Sequence, residues 1–501
     1  MNSSGSRPSR WGRNPFVHNL KSSLADKMTT GLMSVTGFPA RLLLVSFLML
    51  LGWPFAFVAS LGRSQFAVEP QSWWRRLVDV ALRVIMRAMW FCAGFHWVKV
   101  KGERAAPSQA PILTVAPHST FFDAIPVTST MCSIVSKLEA QSIPVWGTLI
   151  QYIRPVLVLR SSPDSRRQTA DEIKRRAQSG GEWPQIMIFP EGTCTNRSSL
   201  ILFKAGAFLP GLPVQPVVLR YPNRLDTITW TWRGPSAWKI LWLTLCQPHT
   251  AMEVEYLPVY NPSDQEKENP SLFANNVRKV MAKALEVPLT DLYFEDRELS
   301  FAEGPLKVYD PSSLLELNHL LLRLRLKTTE SWLQEQVSTV RKLRKHLLTL
   351  EDFALFLRVC VTDTLRHIHG LFAQEKGYAD IRHFLLALST IHRPSKAMDT
   401  LKMAFEMYDD DWDCDTTAQL QEHDLAAILE IMLGVKEVEL SMVLKKLGPP
   451  HTGKVTYDEL RRLVEEHPHF VEDYLDFKDH PRHFCVGPPD TCNGHMHHKH
   501  N

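Results

Sequence analysis

His118, in the run Ala116-Pro117-His118-Ser119-Thr120-Phe121-Phe122-Asp123, is the first residue of this 501-residue chain whose setting suggests chemistry. An imidazole takes a proton from a hydroxyl near neutral pH, and a carboxylate on its other ring nitrogen fixes the tautomer and stabilises the imidazolium that forms. Asp123 can supply that carboxylate only if the chain turns sharply, as it does where a loop becomes a helix. Alone, H-x4-D is a common pattern, and an isolated pair of this kind is ordinarily structural. The second block is Phe189-Pro190-Glu191-Gly192-Thr193-Cys194-Thr195-Asn196-Arg197. Gly192 permits a tight turn that exposes backbone N–H groups, and Glu191, Thr193, Asn196 and Arg197 add polar contacts, so a phosphate or headgroup can lodge there. In isolation it reads equally as a capped turn after a strand. Between the blocks, the apolar run 155–159 ends in Arg160, which suits bidentate capture of a phosphate or, more plainly, an exposed ion pair. Residues 211–221 form a proline-broken apolar strand with no ionisable group before Arg220, a core element or a wall for an apolar chain.

The elements around these residues place them at strand exits. Short apolar runs at 97–100, 112–116, 156–159, 186–189, 214–219, 227–232 and 252–256 read as strands, and 165–178 and 270–285 as helices. Strands apolar on both faces and interleaved with helices indicate an α/β layered domain, with catalytic loops at strand ends.

Upstream, residues 42–61 carry no charge, and only Ser46, Gly52, Pro54 and Ser60 fall outside the apolar class. That length crosses a hydrocarbon core. A long polar, basic stretch precedes it and its apolar run exceeds that of a cleavable signal. Pro54 and Gly52 leave two geometries open, a kinked spanning helix and a re-entrant hairpin. Lys21, Lys27 and Arg41 before it and Arg63, Arg75 and Arg76 after it give no orientation. Trp73-Trp74-Arg75-Arg76 then opens an amphipathic stretch, with Arg83 and Arg87 on its polar side, suited to a membrane interface.

Lys plus Arg number 57 and Asp plus Glu 53, a formal +4, so no global charge excess points to nucleic acid. The 8 cysteines are scattered without a CxxC, as in a protein exposed to a reducing cytosol. Downstream, 314–326, 330–347, 352–361, 397–408, 423–433 and 437–447 carry helix-period apolar residues, and an acidic run occupies 409–415. His495, His497, His498 and His500 sit in a solvated tail. The expected organisation is a polar segment (1–36), a transmembrane or re-entrant segment (37–62), an interfacial helix region (63–96), the α/β domain (97–300), a helical connector (301–350), an all-α domain (351–475) and a His-rich disordered tail (476–501).

Taken together, the H-x4-D block, the arginine-ended strand, the P-E-G-T block and the proline-flanked apolar strand resemble the glycerolipid (1-acylglycerol-3-phosphate O-acyltransferase) family in order, spacing and strand-end placement. Within it, APHSTFFD, FPEGTCTNR, LRYPNRLDTITWTW and Asn14-Pro15-Phe16-Val17 are similar to the lysophosphatidylcholine acyltransferase branch. The resemblance extends to about residue 475. It implies a membrane enzyme of the endoplasmic reticulum, with Golgi and lipid droplets as further sites, that moves a fatty acyl group from coenzyme A to a lysophospholipid hydroxyl and needs no cofactor. The expected acceptor is lysophosphatidylcholine, giving phosphatidylcholine, with acetyl transfer to lyso-PAF as a related reaction. It implies His118 as general base, Asp123 as its orienting partner, and Arg160, Glu191, Gly192 and Thr193 as the binding site for the glycerol phosphate. Attack on the thioester is then direct, with no acyl-enzyme. Cys194 stands where many lysophosphatidic acid acyltransferases have arginine, which favours a zwitterionic choline headgroup.

The same resemblance makes the C-terminal region EF-hand-like. With Leu420 as the apolar centre of a calcium loop, Asp413, Asp415 and Asp424 are the ligand candidates, but Ala418 replaces the required glycine and Asp424 the bidentate glutamate. Loops 372–383 and 448–459 lack the early carboxylates. The expectation is a degenerate EF-hand-like scaffold with calcium binding unestablished. The alternatives are acylation of lysophosphatidic acid or other headgroups, a lipid thioesterase or hydrolase using Cys194 as nucleophile, and a non-catalytic membrane adaptor. A G-x-S-x-G elbow is absent, and an adaptor leaves His118, Asp123, Arg160 and Glu191 without a task.

Overall fold

The structure is a computed structural model that describes residues 14–62, 72–158, 163–232, 234–297, 299, 305–306, 308–324, 326, 329–343, 345–373, 377–408, 419–447 and 454–477. The chain divides into two compact units, Met1–Ser300 and Phe301–Asn501.

The first unit is built on a seven-stranded mixed sheet of β1 Val98–Lys101, β2 Ile112–Ala116, β3 Ser133–Lys137, β4 Val156–Val158, β5 Ile186–Ile188, β6 Val214–Arg220 and β7 Met252–Tyr256, in the order β1-β7-β6-β2-β5-β3-β4. Neighbours are parallel except β6 and β7, so β6, β2, β5, β3 and β4 share one direction. All residues of β2 are buried. Leu113 and Val115 enter a core with Phe122, Met187 and Val217, whereas Ile112 and Ala116 enter another with Ile186, Val214, Phe273 and Val277. Two cores on opposite faces are why this strand reads as an unbroken apolar run. Full burial of a Leu or Ile stabilises by roughly 1.5–3 kcal/mol, against about 1 kcal/mol net for a backbone hydrogen bond, so the cores rather than the ladder hold β2.

Two expectations for the strands of this unit differ. Residues 227–232 form no strand: Thr227, Thr229 and Thr231 are buried, and the segment bonds to loops, with Trp230 N donating to Ser119 O at 2.8 Å and Thr229 Oγ1 to Asp226 Oδ2 at 2.7 Å. Conversely, β3 (SIVSK) is a strand that no apolar run announced.

Three helices precede the sheet: α1 Leu24–Val35, α2 Gly37–Ser60 and α3 Trp73–Cys92. Helix α2 is long and apolar enough to cross a membrane and runs unbroken through Pro54, so the turn a re-entrant hairpin needs is absent there. Along one flank, Phe38, Leu42, Val45, Leu48 and Met49 pack on the sheet's core, and Ala56 and Ala59 are buried with Leu82 of α3 and Tyr152. Gly52 sets the spacing, since a Cβ there would lie 3.1 Å from Met86 Cε. The other flank, including Leu43, Phe47, Leu50 and Val58, is exposed.

The second unit repeats one arrangement: a helix, a short strand and a helix. The helix pairs are Glu330–Val340 with Leu350–Leu357, Asp363–Phe372 with Ile381–His392, Ala397–Tyr408 with Glu422–Leu433, and Ser441–Leu447 with Tyr457–Glu466. Strands Leu347–Leu348 and Ala379–Asp380 pair antiparallel, as do Gln419–Gln421 and Lys454–Thr456, the latter with Leu420 opposite Val455. The helix expected over 330–347 stops at Val340. Arg341, Lys342, Arg344 and Lys345 follow at once, and crowded like charges disfavour another turn.

Candidate active site

The carboxyl ends of β2, β5 and β6, three adjacent parallel strands, carry His118, Glu191 and Tyr221 respectively. This is where sequence-distant side chains meet. After β2, Thr120 caps a 3-10 turn, Phe121–Ala124, in which Asp123 is the reciprocal member of a capping box. That turn folds the five-residue spacing back on itself. Asp123 Oδ2 accepts from His118 Nδ1 at 2.8 Å, from Ser119 N at 2.7 Å and from Thr120 N at 3.0 Å. Its Oδ1 accepts from the Tyr221 hydroxyl at 2.5 Å. Asp123 is 1% exposed and the His118 side chain 26%. With Nδ1 donating to the carboxylate, His118 Nε2 is the nitrogen left to accept a proton.

The second block grips the backbone of the first. His118 N donates to Glu191 Oε2 at 2.6 Å, and Thr195 N donates to His118 O at 2.7 Å. The Phe189 ring lies 4.5 Å from the imidazole centroid. Glu191 is fully buried. Desolvation pushes its pKa up to about 8 despite the N–H groups of His118 and Ile201, which favour the charged form. Burial works against the His118 imidazolium, but Cys194 and the hydrogen-bonded Asp123 outweigh it and raise the pKa well above the ordinary value. Desolvation and the adjacent Asp123 raise the Tyr221 phenol further, which keeps it a donor.

Gly192 adopts φ +69°, and a Cβ there would lie 3.0 Å from Lys204 Cε. Lys204 in turn pairs with Glu295 at 2.9 Å. Thr193 is buried and Cys194 partly exposed beside the imidazole. Arg160 lies outside the described residues, as do Asp413 and Asp415. Asp424 is described and contacts His423 Nε2 at 3.3 Å. Among the described residues, no group of three or more His, Cys, Asp or Glu side chains could hold a metal ion.

The 97–220 segment matches the Acyltransferase family model. Lysophosphatidylcholine acyltransferase 1 of Danio rerio is 56% identical over 464 residues, 92% of this chain and 89% of that protein. The Homo sapiens protein of the same name is 52% identical over 468 residues, covering 93% and 87%. Homo sapiens lysophosphatidylcholine acyltransferase 2 is 40% identical over 471 residues, covering 93% and 85%. The chain belongs to the lysophosphatidylcholine acyltransferase family. It is an acyltransferase, and His118, Asp123, Glu191 and Tyr221 all lie in or beside the segment the family model spans.

Three features of this candidate site lie beyond what the sequence predicts. Tyr221 belongs to the stretch that the sequence assigns to core or an apolar wall, although it is the first side chain beyond β6 and the nearest ionisable one to the strand end after Arg220. The Asn14–Val17 segment straps the second block: Asn196 N donates to Pro15 O at 2.7 Å, and Asn196 Nδ2 to the Asn14 and Val17 carbonyls at 2.8 and 2.7 Å. Phe16 is wholly buried beneath it. Finally, Arg197, at φ +65°, pairs with Asp226 at 2.5 Å and lies over the Tyr221 ring.

Proposed function

We propose that the chain transfers a fatty acyl group from acyl-CoA to the free hydroxyl of a lysophospholipid, with lysophosphatidylcholine as acceptor and phosphatidylcholine as product. The observation that carries this is the His118 imidazole, locked through Nδ1 by Asp123 and partly open to solvent. Nε2 takes the acceptor hydroxyl's proton as the oxygen attacks the thioester carbonyl. The tetrahedral intermediate collapses, the carbon–sulfur bond breaks, and the imidazolium returns its proton to the departing CoA thiolate, so His118 ends neutral. No metal or redox group enters this balance.

Asp123 orients the ring and stabilises its charged form. Glu191 acts through the His118 backbone rather than by touching substrate, because its carboxyl is turned inward. The Gly192-Thr193 turn and Arg160 hold the acceptor's phosphate in this reading. Cys194, adjacent to His118, is no nucleophile: its place within the family block and the His–Asp geometry both favour direct transfer over a thioesterase. The decisive experiment incubates membranes carrying the full chain with radiolabelled acyl-CoA and lysophosphatidylcholine, lysophosphatidic acid or no acceptor. Labelled phosphatidylcholine from the wild type and none from His118→Ala supports the reading; equal product from both overturns it.

The enzyme works at a membrane of the endoplasmic reticulum. Support comes from α2, which leaves an apolar flank exposed while its other flank packs along the catalytic unit, an arrangement suited to a domain seated on one leaflet. The second unit is an EF-hand-like domain of four hands in two pairs. Leu420 opposite Val455 is the pairing expected of two apolar loop centres. In the hand formed by Glu330–Val340 and Leu350–Leu357, Arg341 and Lys345 stand where early carboxylates are needed, so calcium is not its ligand. Asp413, Asp415 and Asp424 remain the calcium candidates.

A further inference from the structure

Helix α1 has an apolar stripe that no described residue covers. Leu24, Met28, Leu32 and Val35 recur at spacings of four, four and three residues, which puts them on one helical face, and they are 65–76% exposed. The opposite face is fastened to the catalytic unit. Asp26 is buried, closes a capping box with Ser23 and pairs with Arg224, and Ser34 Oγ accepts from Trp242 Nε1 at 3.0 Å. A helix meant for water would not leave four large apolar side chains outward while burying Asp26 against the protein.

We infer that α1 lies in the plane of a lipid bilayer as an amphipathic helix and that this contact is transmitted to the active site through the segment before it. The occupant is lipid rather than protein on two grounds. Helix α1 packs against α2, whose own exposed flank carries Leu43, Phe47 and Leu50, the apolar side chains suited to the same lipid phase. Exposed Lys21 and Lys27 flank the stripe, as basic residues do at a headgroup layer.

The link to chemistry is short. From Ser23, the N-cap of α1, only residues 18–22 separate the helix from the Asn14–Val17 strap that Asn196 holds. Within that connection His18 Nε2 donates to Asp226 O at 3.0 Å, and Asp226 holds Arg197 of the Glu191 block. Seating α1 therefore fixes both supports of the loop that grips His118. The result is an acyltransferase whose site is braced best when its entry helix is on a bilayer. This rests on the proposed lysophospholipid activity, yet one arm of its test does not need it.

Two measurements on the full chain decide the matter. First, a photoreactive benzoylphenylalanine is placed at position 32 or, off the stripe, at position 29, and the protein is irradiated on phosphatidylcholine vesicles. Lipid adducts several-fold more abundant from position 32 are expected; adducts to a second copy or to other protein segments from position 32, or equal lipid yields from both positions, overturn the inference. Second, the combined variant Leu24→Ser, Met28→Ser, Leu32→Ser, Val35→Ser is assayed on vesicle-borne acceptor and on a short-chain, monomeric acceptor in detergent-free buffer. A several-fold loss confined to the vesicle assay is expected; equal loss in both marks a merely structural helix, and no loss removes the coupling. If wild type acylates neither acceptor, it is the proposed activity that fails, while the crosslinking result stands alone.

Discussion

Tyr221 and Asp123, 98 positions apart, meet through a 2.5 Å hydrogen bond at the ends of neighbouring parallel strands. With His118 and two backbone N–H groups on its other oxygen, the carboxylate is held from both sides. Tyr221 is thus a positioning residue. Tyr221→Phe should lower kcat/KM about tenfold, the loss of one hydrogen bond to a charged acceptor, roughly 1.5 kcal/mol. It also removes a donor competing for Asp123 charge, so the acid limb of the pH–rate profile should move to higher pH. A rate loss with an unmoved limb would assign Tyr221 to packing alone.

In the proposed mechanism His118 must be neutral to accept a proton, and its pKa is raised in the folded protein. Activity should therefore fall as pH drops through a value above 6.5, rather than at the ordinary histidine value. Asp123→Asn should depress kcat by about 10²–10⁴ and shift that limb downward, measured as initial rates between pH 5 and 9.

Glu191 has a folded pKa of about 8 against an ordinary 4.5. A raised acid pKa means the folded state holds its proton where the unfolded state has lost it, so stability contributed by this group declines as pH rises from about 4.5 to about 8. Glu191→Gln keeps the acceptor for His118 N and should flatten this slope in thermal unfolding while leaving activity within a few fold. Glu191→Ala, which strands that N–H, should abolish most activity.

Cys194→Arg places a cation beside His118. It should lower the His118 pKa by repulsion, moving the acid limb downward, and shift the acceptor preference towards lysophosphatidic acid by about tenfold through one added charge-assisted bond. Competition assays with the two lysolipids measure it; an unchanged ratio would detach headgroup choice from this position.

Asn196→Ala cuts both side-chain bonds to the Asn14 and Val17 carbonyls. A loss of about 1–3 kcal/mol is expected from the stranded groups, read as a lower unfolding temperature of the full chain. An unaltered temperature would mean the strap holds through Phe16 instead.

What the sequence determined is local. Side-chain period and apolar runs located the strands Ile112–Ala116 and Met252–Tyr256, the helix Pro270–Leu285 and the long apolar segment, though not its continuity as one helix through Pro54, because each is decided by residues within a turn or two of one another. The same is true of the Asp123 capping box, which lies wholly within six residues of His118. Short strand β3, and the buried threonines of 227–232 that bond to loops instead of a ladder, were illegible because neighbours far along the chain decided them. So were Tyr221 on Asp123, Glu191 under the His118 backbone, Asn196 on the Asn14–Val17 strap and Asp226 beneath Arg197. The order of strands sets these meetings. Only when β5 and β6 flank β2 in parallel do three distant loops share one sheet edge, and only there does a common H-x4-D spacing become a braced imidazole.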